Sequence, residues 1–538
     1  MATIEPLGEG AYKAHGIPWD ELKQVDPRPR KLGGDCYALQ NRWAALALYR
    51  YASPAVQDDL FLDRLEVELS RALKLPGGRT FRHPPEEALY PYQQAGVQYA
   101  LQRPHTLFGD EPGLGKTSQA IVTANESGAE KVLVVCPASV RLQWADQIRR
   151  WVWPRNAPTP DGLPMVNTVL KGSDGIYQGK LPSWTVISYD LIVRSKAIQE
   201  AIARRGFEFA ILDEVHYLKS FEAQRTRALF GHPDVGDDNG LVGETDRVLG
   251  LTGTPLPNRP RECYAVARTM NWEAIGYLAE GPFRGRYNPS IPLPNGFSRE
   301  EVARPWELQA RLRAHFMVRR SKRAVLPQLP QVSWDILRLE PNAEVKRVLR
   351  AEEQTGIDPL TFNASDFKAQ GAIATVRREM GEAKVPLVVD HVKRLFDGGE
   401  HKLVVFTWHR EVLAQLREQL ADFGVTHIQG GMTAKAAHEA KERFVQDPAT
   451  RLFVGQIQSC GVGINGLQEV AQTAVFAEAS WVPGDNEQAV DRLARIGQKG
   501  AVFAQFLVAP GGMDDKVLSS AIDKVHGVHA ALDAVTGG

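Results

Sequence analysis

Short apolar runs alternate with helix-patterned stretches twice along this chain, and no other feature restricts its fold as severely. In the first series the runs are His105–Gly109, Val132–Cys136, Thr185–Tyr189, Phe207–Leu212 and Arg247–Gly253. In the second they are Lys402–Trp408, Val425–Gln429, Arg451–Gln456, Thr473–Glu478 and Ala501–Ala509. Continuous apolar runs separated by helices predict strands buried on both faces of a parallel sheet. A length of 538 residues exceeds one hydrophobic core and allows roughly three or four compact units. Two of them are predicted to be α/β domains in tandem.

The first α/β domain is expected over 85–330, with an insertion over about 255–315, and the second over 331–525, with a helical lead-in over about 340–395. Residues 303–385 read mostly as polar helical sequence broken by Pro327 and Pro330, as suits a hinge or bridging insertion. Pro-, Gly- and Asp-rich loops are expected at 154–165 and 231–246. Residues 1–84 read as a small accessory region, mostly helical, with amphipathic patterns at Trp43–Tyr49 and Phe61–Leu69. A tail covers 526–538.

Bulk chemistry is neutral on function. Lys plus Arg and Asp plus Glu both number 64, so any grip on nucleic acid needs a local stripe of donors rather than a basic molecule. Cys36, Cys136, Cys263 and Cys460 are too far apart for a zinc-finger spacing, and buried reduced thiols are expected. No apolar stretch of about 18 residues and no signal core occur, so a soluble protein of the cytoplasm, or of the nucleus in a eukaryote, is expected.

The chemistry concentrates after the strands. Gly109-Asp-Glu-Pro-Gly-Leu-Gly-Lys116-Thr117 follows the first run and opens a helical pattern at Ser118. Small residues there let backbone N–H groups turn onto a phosphate at a helix N-terminus, while Lys116 reaches the β/γ-phosphates and the Thr117 hydroxyl ligates Mg²⁺. Asp110 stands where the strict pattern wants glycine, so the loop is a variant. At the end of a later run, Ala210-Ile-Leu-Asp213-Glu214-Val-His216 supplies a carboxylate for Mg²⁺ (Asp213) and one to polarise the attacking water (Glu214). A solvated strand end would carry the same two residues. Late in the second series, Gln488-Ala-Val-Asp-Arg492-Leu-Ala-Arg495-Ile-Gly-Gln498 offers two arginines three apart, on one face of a helix, to neutralise transferred charge. In isolation it would equally be a solvated charged helix.

Taken together these segments resemble superfamily-2 helicases, and among them the chromatin-remodeller (Swi/Snf) type of DNA-dependent ATPase. Asp-Glu-x-Gly-Leu-Gly-Lys-Thr at 110–117, Leu251-Thr-Gly-Thr-Pro-Leu-Pro-Asn258 and the pattern at 488–498 carry the likeness, which extends over about 88–525. The resemblance implies two tandem RecA-like domains, use of ATP with Mg²⁺, and hydrolysis coupled to movement on DNA. It implies nucleotide contacts from Gln93 in Tyr90-Pro-Tyr-Gln93, which is similar to the adenine-reading motif, and from Asp110, Glu111, Gly113, Gly115, Lys116, Thr117, Ser118 and Gln488. Thr252, Gly253, Thr254 and Gly463 would relay the state of the site between lobes. Ala494 and Val215 replace the histidine and the small residue usual in the family's patterns. Gly381-Glu-Ala-Lys384-Val-Pro386 and Val475-Phe-Ala-Glu478-Ala-Ser-Trp481-Val-Pro-Gly484 look like the annealing-helicase, fork-remodelling branch.

The family grips phosphates without reading bases. Candidates here are Ser139, Arg141, Arg319, Arg320, Lys322, Thr407 and Ser459, although a run such as Arg319–Arg323 can also be a solvated or capping cluster. The expected partner is duplex or forked DNA, bound without sequence preference by a monomer, with replication, repair or transcription proteins as possible associates. Two other readings compete: a motor subunit of a restriction or nuclease system, for which the loose pattern Asp335…Glu344-Val-Lys346 speaks, and a nucleotide-switched factor acting on RNA polymerase.

Overall fold

The computed structural model describes residues 2–8, 10–25, 29–39, 41–75, 79–153, 165–232, 240–243, 245–253, 255, 259–292, 298–300, 302–326, 332–356, 367–460, 466–495 and 497–519. They form two compact units, one of Glu111 and earlier with Gly115–Val325, and one that begins at Leu326 and with which Pro112–Leu114 are grouped.

The N-terminal residues hold more strand than expected. β1 (Thr3–Gly8), β2 (Ala11–His15), β3 (Arg30–Gly33) and β4 (Cys36–Leu39) form an antiparallel sheet in the order β1-β2-β4-β3. The helical expectation holds for Trp19–Val25 and from residue 42 onward, where helices Arg42–Ala47, Pro54–Asp59 and Phe61–Ser70 follow. These short strands bury little: Ile4, Tyr12, Ala14 and Leu39 join Trp43, Leu46 and Leu60 in one cluster, which Ala314 of the helix Pro305–His315 completes. The module is therefore fixed to the flank of the first α/β domain. Ser70 Oγ donates to the carbonyl of Met317 at 2.5 Å, and Arg103 pairs with Glu66.

The first domain is a seven-stranded parallel sheet. Its strands are β5 (His105–Phe108), β6 (Lys131–Cys136), β7 (Val166–Thr168), β8 (Ser183–Ser188), β9 (Phe209–Asp213) and β10 (Arg247–Leu251), then, after the hairpin β11 (Ser290–Pro292) and β12 (Ser298–Glu300), β13 (Met317–Val318). The order is β13-β5-β10-β9-β6-β8-β7. Every residue of β8 is buried, as a strand covered on both faces requires. Because all neighbours are parallel, chain segments leaving β5, β10 and β9 emerge side by side at one end. Leu251 stands in register with both Phe108 and Asp213.

The second domain is a six-stranded parallel sheet of β14 (Val332–Arg338), β15 (Leu403–Thr407), β16 (Val425–Ile428), β17 (Leu452–Gln456), β18 (Thr473–Phe476) and β19 (Val502–Val508), ordered β14-β19-β18-β15-β17-β16. β14 corrects the mostly helical reading of 303–385. Seven residues pair with β19 before the helices Ala343–Thr355 and Phe367–Asp397 begin. The long helix carries Pro386 in its interior and packs Val385, Val388, Val392 and Phe396 against Leu403, Val405 and Val454 of the sheet. Its apolar face holds it against the sheet although the proline forfeits one backbone hydrogen bond. Among the described residues no helix is long and apolar enough to cross a membrane.

Candidate nucleotide-hydrolysis site

The loop after β5 has the shape the sequence calls for. Gly113 and Gly115 take φ of 87° and 72°, in the left-handed region that costs other residues energy, and the helix Lys116–Ser127 starts immediately after them. A Cβ at Gly115 would fall 2.2 Å from Gln93 Nε2, which shows how closely the glutamine amide approaches the loop. Lys116 Nζ donates to the carbonyls of Asp110 at 2.7 Å and Glu111 at 3.3 Å, which holds the ammonium over the loop. Thr117 is half-buried at the start of the helix, and Ser118 is buried with its hydroxyl on the Gly115 carbonyl at 2.9 Å. Gln93 Oε1 accepts the Tyr90 backbone N–H at 2.9 Å and caps its own helix, leaving Nε2 as the end that faces Gly115.

Asp110 does not face the phosphate position. It is fully buried, and its Oδ1 accepts both the Arg320 backbone N–H and Arg320 Nε at 2.9 Å, while Oδ2 accepts Arg320 Nη2 at 2.5 Å and Gln119 Nε2 at 3.2 Å. Arg320 also donates to Gln119 Oε1 at 2.8 Å and to the Tyr92 carbonyl. Arg319 Nη1 donates to the Gly109 carbonyl at 2.7 Å, and Glu111 Oε2 accepts the Lys322 backbone N–H at 2.7 Å. Arg319 and Arg320, read from the sequence as phosphate contacts on DNA, are 2% and 3% exposed. Here they tie the phosphate loop to the strand β13 beside it. A buried carboxylate demands such a partner, because an unpaired charge there would cost several kcal/mol.

The carboxylate pair ends β9. Asp213 Oδ2 accepts the indole N–H of Trp144 at 2.7 Å, and Oδ1 accepts the Glu214 backbone N–H at 3.1 Å. Burial, and then the neighbouring Glu214 charge, push the Asp213 carboxyl up to about 7, while Trp144 and the ammonium of Lys116 oppose the rise. A divalent cation would favour its charged form outright. Glu214 occupies the left-handed region at φ 51°, a strained conformation for a residue with a Cβ and one that clusters at functional sites. His216 Nδ1 lies 3.2 Å from Glu214 Oε2 and 3.0 Å from Thr252 Oγ1, so the residue after β10 is linked to the candidate base through one imidazole. Sequence reasoning gave Thr252 a relay role and placed Trp144 with a strand-contacting motif, but gave neither Trp144 nor His216 a part in holding the carboxylate pair. Gly253 is buried beside Thr252, and Thr254 lies outside the described residues.

Ser139 is exposed in the turn after β6. Arg141, next to it, spends its guanidinium on backbone carbonyls: Ala138 at 3.0 Å, and Val169 and Leu170 at 2.9 Å. Lys322 is half-buried.

In the second unit the arginine pair is not helical. The helix Pro483–Val490 ends before it, and Arg492 and Arg495 follow in successive turns, so the three-residue spacing does not place them on a helix face. Gln498 explains the break. Its buried amide donates to the carbonyls of Ala471 at 2.9 Å and Leu493 at 3.2 Å, and Gly497 at φ 99° reverses the chain into that position. Burial first, and then the Arg492 charge, push Arg495 down to about 9, a penalty that a bound anion would offset. Gln488 is half-buried on the helix, Ser459 is half-buried after β17, and Gly463 lies outside the described residues. Thr407, expected to touch DNA, is fully buried as the last residue of β15.

The two stretches that suggested the fork-remodelling branch meet inside this unit. Glu478 accepts the backbone N–H groups of Trp408 and His409 at 2.9 Å and lies 2.6 Å from His409 Nδ1. A Cβ at Gly381 would fall 2.3 Å from its Oε1. Arg377, between the rings of Trp408 and Trp481, donates to the Ala479 carbonyl at 2.7 Å. Lys384 donates to Asp514 and to the Leu507 carbonyl, both at 2.8 Å.

Residues 92–385 match the model of the SNF2-related domain, and residues 387–497 that of the helicase conserved C-terminal domain. The chain belongs to the SNF2-related family. Among curated relatives, the bovine (Bos taurus) SWI/SNF-related matrix-associated actin-dependent regulator of chromatin subfamily A-like protein 1 is 32% identical over 80% of this chain and 43% of its own length. Human (Homo sapiens) DNA annealing helicase and endonuclease ZRANB3 is 28% identical over 79% and 39% respectively. The chain thus spans about two fifths of the length of these SNF2-related relatives. The Sulfolobus solfataricus SWI2/SNF2 ATPase core in complex with dsDNA aligns over 86% of this chain and 96% of that one, at 18% identity and a TM-score of 0.39.

Proposed function

We propose that this SNF2-related chain hydrolyses ATP and couples each turnover to movement along DNA, as a duplex-tracking translocase that acts on forked or annealing DNA in replication or repair. The observation that carries the reading is the parallel adjacency of β5, β10 and β9. It sets the lysine loop, Thr252 and the Asp213–Glu214 pair at one sheet end.

The donor set fits Mg²⁺. Thr117 and Asp213 offer a hydroxyl and a carboxylate, and this ion ordinarily takes one or two such oxygens plus water and substrate phosphates. When bound it would spread the charge of the β/γ-phosphate oxygens. Lys116 binds those phosphates, Gln93 reads adenine through Nε2, and Glu214 orients the attacking water. Arg492 and Arg495 supply positive charge to the transferring phosphoryl group. Ser139, Ser459 and the backbone around them meet strand phosphates, which predicts binding without base readout.

The nuclease reading gains no support: Asp335 accepts Ser333 Oγ at 3.1 Å on β14, and Glu344 is paired with exposed Arg347 on the next helix. The experiment is an ATPase assay on the purified chain with duplex, single-stranded and forked DNA and with RNA. Stimulation by DNA, strongest with forks, is expected. Turnover indifferent to every nucleic acid would overturn the motor reading.

A further inference from the structure

A cavity of about 720 Å³ opens where the N-terminal module meets the first α/β domain, on the side walled by the helices Arg42–Ala47, Phe61–Ser70 and Pro305–His315 and by residues 319–324. This volume lies within the range of about 300–1,000 Å³ typical of small-molecule sites. Six arginines line it, Arg50, Arg64, Arg71, Arg313, Arg319 and Arg320, with Glu68 the one carboxylate of the lining; Arg313, Arg319 and Arg320 are buried and Arg320 is neutralised by Asp110, so the charge open to a ligand is that of Arg50, Arg64 and Arg71. Four separate segments contribute the six arginines, so the cluster is converged by the fold rather than inherited from a basic stretch of sequence.

Several of the guanidinium groups are held by neighbours. Arg50 pairs with Glu21, Arg64 lies 4.1 Å over the Tyr49 ring, Arg71 stands 3.5 Å from Glu68, and Arg313 Nη1 donates to the Arg319 carbonyl at 2.7 Å. Most of the remaining lining is apolar, and it includes the planar side chain of Trp306. Planar donors in a fixed fork match phosphate oxygens bidentately, and an aromatic wall suits a base.

We infer that this cavity binds a phosphate-bearing nucleotide unit, separately from the nucleotide at the lysine loop. The unit belongs to a single strand of nucleic acid or to a free nucleotide; both present the same phosphate and base. The wall also reaches the phosphate loop. Arg319 donates to the Gly109 carbonyl, and Arg320 holds Asp110, so an occupant rests on the residues that brace the loop around Lys116. The site is thereby linked to ATP turnover as an effector site.

The test uses the full chain without ATP and the paired variant Arg50→Gln/Arg64→Gln, with Arg64→Gln alone to keep the Glu21 pair intact. Binding of a fluorescein-labelled oligothymidylate is followed by anisotropy at several salt concentrations, and ADP stoichiometry by calorimetry. If a strand occupies the cavity, affinity for the oligonucleotide falls about tenfold in the paired variant, with a smaller fall in the single one. The salt slope then drops by about 0.7 per arginine removed, the value for a single strand. If a free nucleotide occupies it, wild type binds two equivalents of ADP and the variants one. Unchanged oligonucleotide affinity, unchanged slope and unchanged ADP stoichiometry overturn the inference. Because binding is read directly, a chain whose turnover ignores nucleic acid would sink the motor reading and leave this one standing.

Discussion

The indole N–H of Trp144 donates to Oδ2 of Asp213 at 2.7 Å, joining a helix to the end of β9. Trp144 lies on the helix Arg141–Trp151, one turn beyond the exposed Ser139, so the element expected to meet a DNA strand also orients the carboxylate expected to hold Mg²⁺. Trp144→Phe keeps the ring packing and removes the donor. A hydrogen bond to a charged group contributes about 1.5–3 kcal/mol, so the Mg²⁺ concentration for half-maximal turnover should rise about tenfold or more. Binding of Mn²⁺ in the presence of ADP, followed by electron paramagnetic resonance, should weaken in parallel. An unchanged metal requirement would show that the contact is only structural.

Lys116, Glu214 and Arg495 should fail in three different ways. Lys116→Ala should abolish turnover together with most nucleotide binding. Glu214→Gln should retain binding and lose about 10²–10⁴-fold in turnover, the usual range for a general base. Arg495→Ala should lower turnover at saturating ATP by about 10³-fold while sparing most of the affinity, because its charge is needed where the transition state concentrates negative charge. Measuring kcat and nucleotide Kd for each separates the three roles. Wild-type turnover by Glu214→Gln would remove it from the mechanism.

Asp110 and Arg320 predict a stability effect rather than a catalytic one. Arg320→Met leaves a carboxylate in a fully buried position, and breaking one side of such a pair costs about 3–5 kcal/mol. The first unit should unfold at markedly lower denaturant in this variant. Pairing it with Asp110→Leu should recover part of the loss, which a purely catalytic role for Asp110 would not produce.

Burial raises Glu352 to about 7 from 4.5, with the Met513 backbone N–H, which donates to its Oε2 at 2.9 Å, opposing the rise. A carboxyl whose folded value lies above its unfolded one binds more protons when folded, so it stabilises below about pH 4.5 and loses that contribution as pH rises to about 7. The loss is on the order of 3 kcal/mol. Glu352→Gln should flatten the dependence of second-unit stability on pH between about 5 and 7. A dependence as steep as that of wild type would place its origin elsewhere.

What the sequence disclosed follows from chain locality. Lys116, Thr117, Asp213 and Glu214 each sit within a few positions of a strand end, and the order of residues there states the chemistry. Arg320 and Asp110 are 210 positions apart, and nothing in either neighbourhood signals that they pair. Arg492 and Arg495 are not on the expected helix, because the stop is set downstream by Gly497 and Gln498. The strands β1–β4 were missed because they are short and largely exposed, with Ile4, Tyr12 and Ala14 giving too brief an alternation to distinguish from loop. Thr407 was misplaced for the opposite reason: a polar residue at a strand end looks accessible, yet this one is buried.

Gly381 supplies the last test, in the second unit. It lies in the middle of the helix Phe367–Asp397, where glycine ordinarily costs about 1 kcal/mol relative to alanine, so replacing it should stabilise the helix on intrinsic grounds. The packing argues the reverse. A Cβ there would come within 2.3 Å of Glu478 Oε1, and Glu478 cannot yield without disturbing its contacts with the backbone of Trp408 and His409 and with the His409 ring. Gly381→Ala should therefore destabilise the second unit by about 1–3 kcal/mol, the usual cost of overpacking. In the Glu478→Ala background, where the carboxylate is gone and Val412 Cγ2 at 3.1 Å is the close contact left, the same substitution should cost less. A double-mutant cycle by denaturant unfolding measures the coupling, and additive effects would show that the helix and the strand end are not keyed through this contact.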